Sequence, residues 1–136
     1  MVEKVGTGEH KGLKWWILKY GFNTKELKYL DYYCAYVQLP TKNTDYVSNY
    51  SKKKLKNKKT FNHYLINGFE IDYTRYDNII AVNGGVTFGV TNEKETIIGW
   101  SYNHSWNFGL DEPLNGIIFE IKSAINSIMK FYKEDL

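Results

Sequence analysis

Apolar and aromatic residues crowd into a few short runs, separated by glycine and polar clusters. Leu13 to Tyr20 reads Leu-Lys-Trp-Trp-Ile-Leu-Lys-Tyr between Gly12 and Gly21 and predicts a first strand. Tyr32 to Leu39 predicts a second, ended by Pro40. Alternation there places Tyr33, Ala35, Val37 and Leu39 on one face and Tyr32, Cys34, Tyr36 and Gln38 on the other. Residues 61–76 suit one or two short strands around Asn67-Gly68. Residues 78–90 predict a strand bent or bulged at Gly84-Gly85. Residues 96–102 predict the strand that returns after a polar turn at 91–95, which makes a hairpin. Asp111-Glu112-Pro113 has the acidic cap and early proline of a helix start. The helix it opens is expected from about Leu114 to Tyr132. Ile117, Ile121, Ala124, Ile125, Ile128, Met129 and Tyr132 form its single apolar stripe, which must be buried against a sheet. The expectation is one α+β domain over residues 1–136: an antiparallel or mixed sheet with a C-terminal amphipathic helix packed on one face. Residues 1–12, rich in glycine and polar side chains, are expected to fray. Residues 41–60 are expected to form a lysine-rich loop or short surface helix.

Composition narrows the class. The chain of 136 residues is 43% hydrophobic and 17% aromatic, which excludes a disordered polyelectrolyte. The formal charge is +3, but six lysines lie within residues 52–59, and the rest of the chain is slightly acidic. A globally basic nucleic-acid binder is therefore not expected, although local attraction to phosphates stays open. Cys34 is alone, so neither an internal disulfide nor a cysteine metal cluster is available, and its apolar neighbours suggest an inert buried thiol. His10, His63 and His104 are far apart and lack metal-ligand spacing. No metal and no cofactor are expected. The first residues read as neither a signal nor a transit peptide, and no apolar run approaches the roughly 20 residues of a membrane span. A cytoplasmic protein without a membrane partner is the expectation.

The candidate chemistry concentrates in residues 81–108. Gly84, Gly85, Gly89 and Gly99 would let a ligand approach the backbone. Asn83, Thr87, Ser101, Asn103, His104 and Asn107 supply neutral hydrogen-bonding groups, while Phe88, Trp100, Tyr102, Trp106 and Phe108 supply apolar planes. The glycines do not open a helix, so they make neither a dinucleotide fingerprint nor a phosphate loop. No Asp or Glu lies between Ala81 and Gly89 or between Thr96 and Leu110, which weakens acid–base catalysis. His104 is the one candidate catalytic group, and its pairing with Ser101 lacks a nucleophile elbow. The bland alternatives are a plain bulged hairpin, a surface histidine and a solvated lysine face. The sharper view of the lysine run is a phosphate-attracting lid over the pocket.

Three segments together resemble a family of small proteins common in phage and prophage genomes. Its members carry Cys-Gly-Tyr-Val ending in Pro, then His-Gly-Gly-Leu-Thr-Tyr, then Gly-Phe-Asp-x-x-His followed by an acidic residue. The counterparts are Cys34-Ala35-Tyr36-Val37 with Pro40, then Asn83-Gly84-Gly85-Val86-Thr87-Phe88, then Gly99-Trp100-Ser101 with His104. The departures concern charge. Asn83 replaces the family's His, Ser101 its Asp, and Asn107 stands at its later acidic position. The resemblance implies a divergent member, of phage origin and acting in the host cytosol.

These readings converge on an accessory phage protein that binds a small nucleotide-like ligand without turnover, a sponge that sequesters a host immune signal. The ligand residues would be Asn83, Gly84, Gly85, Thr87, Phe88, Trp100, Ser101, Tyr102, His104, Trp106 and Asn107, in a pocket closed by a homo-oligomer partner. The alternatives are a hydrolase or phosphodiesterase using His104, and an inhibitor that binds a host defence protein through its aromatic surface.

Overall fold

A computed structural model describes residues 2–21, 32–39, 50–55, 58–60, 63–65, 68–91, 95–102 and 113–134. The fold is α+β. Seven strands form an antiparallel sheet in the order β1-β2-β3-β9-β8-β7-β4. They are β1 (Val2–His10), β2 (Leu13–Tyr20), β3 (Tyr32–Leu39), β4 (Tyr50–Leu55), β7 (Gly68–Ile71), β8 (Phe88–Thr91) and β9 (Thr96–Tyr102). β5 (Lys58–Thr60) and β6 (His63–Leu65) make a separate two-stranded ribbon. Helix α1 (Pro113–Glu134) packs on one face of the sheet, with proline at its first position, where no amide hydrogen is missed.

Register assigns the faces. Trp15, Val37 and Ile98 lie opposite one another across β2, β3 and β9, as do Ile17, Ala35 and Trp100. These residues form the helix side, a core completed by Ile117, Ile121, Ala124, Ile125 and Ile128 of α1. Each fully buried isoleucine contributes on the order of 1.5–3 kcal/mol. The opposite face carries a second buried layer of Trp16, Leu18, Cys34, Tyr36, Val90 and Ile97. The sheet is thus apolar on both sides, while the helix covers one.

Three local expectations are corrected. The glycine-rich start is not frayed: β1 pairs with β2 from Val2↔Tyr20 to His10↔Leu13, with a bulge between Lys4 and Gly6. Gly8 allows this, because a Cβ there would lie 2.5 Å from the ring of Trp15, which covers the β1 backbone. Residues 78–87 are not a strand. Tyr73–Asn78 is a 3-10 helix, a loop follows, and pairing begins only at Phe88. The described part of the lysine-rich region, finally, is strand (β4 and β5) and not helix. Among the described residues no helix is long and apolar enough to cross a membrane.

Candidate functional site

The described residues among those singled out, up to Tyr102, are divided between the two faces of the sheet and a loop. β8 and β9 do form a hairpin, with Phe88 opposite Gly99 and Val90 opposite Ile97, but the sheet separates the side chains. Trp100 and Tyr102 point to the helix side and are 1% and 0% exposed. Trp100 Nε1 donates to the Tyr102 hydroxyl at 2.8 Å, and that hydroxyl donates to Glu120 Oε1 at 2.8 Å. The same oxygen accepts the Asn83 backbone amide at 2.8 Å. These aromatics fill the core, and their polar tips fasten β9 and the loop at Asn83 to α1.

Gly84 and Gly85 serve the loop's path. Both have positive φ, +74° and +78°, a region costly for other residues. The Gly85 amide closes the turn onto the Val82 carbonyl at 3.0 Å, and the Val86 amide donates to Asp77 Oδ1 at 2.8 Å. Thr87 is exposed, and its amide extends the hairpin by donating to the Gly99 carbonyl at 2.9 Å. Phe88 and Ser101 lie on the face away from the helix, in register with Gly99 and Cys34 respectively. Asn103, His104, Trp106, Asn107 and Phe108 fall outside the described residues, so the proposed catalytic histidine is not among them.

The face away from the helix carries an aromatic layer. Trp16 and Tyr36 stack at 5.8 Å between ring centroids, and Phe88 meets Tyr36 edge-on at 5.5 Å. Tyr20 and Tyr32, paired across β2 and β3, stack at 5.0 Å. Gly99 makes room for Tyr36: a Cβ there would sit 2.7 Å from Tyr36 Cδ1 and 2.8 Å from the Ala35 carbonyl oxygen. The Tyr36 hydroxyl shares hydrogen bonds with Tyr20 and Cys34. Burial dominates the titration of all these groups. It pushes the Cys34 thiol up to about 11 and the Tyr20 phenol up to about 12, against the opposing effect of the Tyr36 hydrogen bond. It raises Tyr36 and Tyr32 as well. At neutral pH the cluster is a set of uncharged thiol and phenol groups, poor as nucleophiles or bases.

At the β1 end of this face lies a cleft of about 450 Å³. Lys4, Thr7, Glu9, Lys14, Trp16 and Gln38 line it. The strand register explains their meeting: Thr7 stands opposite Trp16 and Glu9 opposite Lys14, while Trp15 opposite Val37 brings the next residue of β3, Gln38, beside Lys14. Thr7 Oγ1 donates to the Trp15 carbonyl at 3.2 Å, which fixes its rotamer. Two ammonium groups, a carboxamide and an indole are groups able to pair with an anion and to pack against a flat ring. Glu9 opposite Lys14 limits the net charge to about that of one cation. The sequence signal for this cleft was the alternation of Gly6 and Gly8 with polar residues in β1, beside the Trp-Trp pair of β2. Among the described residues, no group of three or more His, Cys, Asp or Glu could hold a metal ion. Compared with protein-family models, curated proteins and solved structures, the chain matches none of them.

Proposed function

We propose that the protein binds a small nucleotide-like molecule without consuming it, as a phage or prophage accessory protein that keeps a host signal out of circulation. The observation that carries the reading is the cleft over β1–β3, which Lys4, Lys14, Gln38, Thr7 and Trp16 line together. This moves the binding surface from the β8–β9 hairpin to the β1 end of the sheet, with Phe88 and Ser101 on the same side. Binding is favoured over turnover because burial keeps the neighbouring Cys34 and tyrosines in their neutral forms. Phage origin and the sequestering role rest on the resemblance of the Cys34, Asn83 and Gly99 segments.

Mass spectrometry of small molecules released by denaturing the purified protein tests this reading. An intact nucleotide-like species should be recovered, and should stay intact through hours of incubation with the protein. Its affinity should fall about two- to fivefold for Lys4→Ala and again for Lys14→Ala, the scale of an ion pair made by an exposed lysine. Accumulation of a reaction product would replace the reading with an enzymatic one. Unchanged affinity in the double variant would remove the cleft from it. A second reading, inhibition of a host defence protein, is favoured by Phe119, which is 76% exposed on the outer face of α1. Loss of a host protein's co-purification in Phe119→Ser, with ligand binding unchanged, would favour it.

A further inference from the structure

The chain's positive charge is segregated in sequence and in space. No Asp or Glu occurs between Tyr46 and Phe69, a stretch that holds six lysines, whereas the remainder of the chain has a net negative formal charge. The backbone fixes where five of these lysines go. Lys52, Lys53 and Lys54 are on β4, and Lys58 and Lys59 are on β5. β4 forms the sheet edge opposite β1, and β5 pairs with β6 in a ribbon outside the sheet, with Lys59 opposite Tyr64 and Thr60 opposite His63. β2 and β4 are five strand spacings apart in the sheet order, or ~24 Å at ~4.8 Å per strand. Lys52, Lys53 and Lys54 are therefore remote from the Lys4–Lys14 cleft.

An edge strand with three successive lysines resists pairing with another sheet. It also sets three lysines at successive positions, ~3.3 Å of chain apiece, along one sheet edge that a linear polyanion can follow. A two-stranded ribbon has the width that a nucleic-acid groove admits. The other residues of β4, β5 and β6 fit the same partner: Tyr50, Ser51, Thr60, His63 and Tyr64 are hydrogen-bonding or aromatic types. A lipid surface would call for inserted aliphatic side chains, and these three strands contain only Leu55 and Leu65. We propose that β4 and the β5–β6 ribbon form a nucleic-acid interface, in which the lysines neutralise backbone phosphates and the aromatic residues add sequence-tolerant stacking. The modest net charge of the whole chain conceals this because the acidic remainder offsets it.

The test is fluorescence anisotropy of the full chain with labelled single-stranded DNA, single-stranded RNA and duplex DNA, together with phosphatidylserine vesicles. If five phosphates are neutralised, the log–log salt slope is about −4.5 on duplex or about −3.5 on a single strand. Affinity should then drop roughly 500-fold or roughly 130-fold between 50 and 200 mM KCl. Changing Lys52, Lys53, Lys54, Lys58 and Lys59 together to Gln should abolish binding, and changing all five to Arg should preserve it. Three results would each overturn the proposal: no anisotropy change with any oligonucleotide at 50 mM KCl, a salt slope near zero, or binding to vesicles alone. Undiminished binding by a Gln variant with native melting behaviour would do the same. If the Gln variant fails to fold, the wild-type slope and the Arg variant decide. The Lys4→Ala/Lys14→Ala variant should bind oligonucleotide normally, which keeps this interface separable from the small-ligand cleft.

Discussion

Tyr102→Phe removes one oxygen atom and breaks a three-part relay. In the native protein Trp100 Nε1 donates to Tyr102, and Tyr102 donates to Glu120 Oε1, both at 2.8 Å. The variant leaves the Trp100 indole donor in a site where the residue is 1% exposed. An orphaned buried donor costs about 1–3 kcal/mol, and a lost hydrogen bond to a carboxylate about 1.5–3 kcal/mol. Glu120 is half-buried and keeps the Asn83 amide, so water offsets part of the second term. The expected loss is therefore about 2–4 kcal/mol. At ~2.1 cal/mol/K per residue, unfolding of the chain has an entropy of roughly 0.29 kcal/mol/K, so Tm should fall by about 7–14 °C. Urea unfolding followed by tryptophan fluorescence measures the loss directly, with the slope m unchanged if the native state stays compact. A loss below about 0.5 kcal/mol would refute the relay as a stabilising element. A double-mutant cycle with Glu120→Leu sharpens the test, because coupled groups should give an interaction energy of at least about 0.5 kcal/mol.

Three further outcomes follow from the same structure. Gly99→Ala should destabilise by about 2–3 kcal/mol or more, since its Cβ meets both the Tyr36 ring and the fixed Ala35 carbonyl; a crystal structure with Tyr36 unmoved and stability unchanged would contradict this. Stability should hold steady from pH 7 to about 8.5 and then decline. Cys34, Tyr20, Tyr36 and Tyr102 all have raised folded pKa values, so the unfolded chain loses protons first, and stability is lost from the unfolded values of 9.0 and 10.0 upward. Cys34, Tyr36 and Tyr102, the buried ones, each account for up to about 1.4 kcal/mol per pH unit within their windows, which equilibrium unfolding against pH would display. The Cys34 thiol should react with iodoacetamide at pH 8 only as fast as the protein opens, and a native rate equal to that in urea would refute its burial.

Much of the architecture is legible in the sequence. The Ile117–Ile128 stripe, the alternation of β3 and the β8–β9 hairpin each follow from one local periodicity. The site is less legible, for an identifiable reason. In β9 a period of two sends Trp100 and Tyr102 to one side and Ser101 to the other. A cluster that is dense in sequence is thereby divided between two faces. Both faces here are apolar, so hydrophobic pattern alone does not say which carries the helix. The Gly84-Gly85 pair carries a true signal of special backbone geometry, and that geometry is a turn held by Asp77. In β1 the glycines imply flexibility when read alone. They become strand residues only because Trp15 on the neighbouring strand covers them, a fact that resides in the pairing.

The strand order also dictates how the chain can assemble. β1, β2 and β3 form one meander of local pairs, and β7, β8 and β9 form another. They join along a single seam, β3 against β9, where Val37 meets Ile98 across about 60 intervening residues. Closing a loop of that length adds about 3.6 kcal/mol of entropic cost, beyond a constant, before any seam contact forms. Docking of the two meanders is thus the step expected to limit folding, with α1, which packs over that seam, settling after it. Substitutions at Ala35 or Trp100, paired across the seam, should therefore slow folding, whereas those at the outer residues of β1 should mainly speed unfolding, which stopped-flow kinetics would separate.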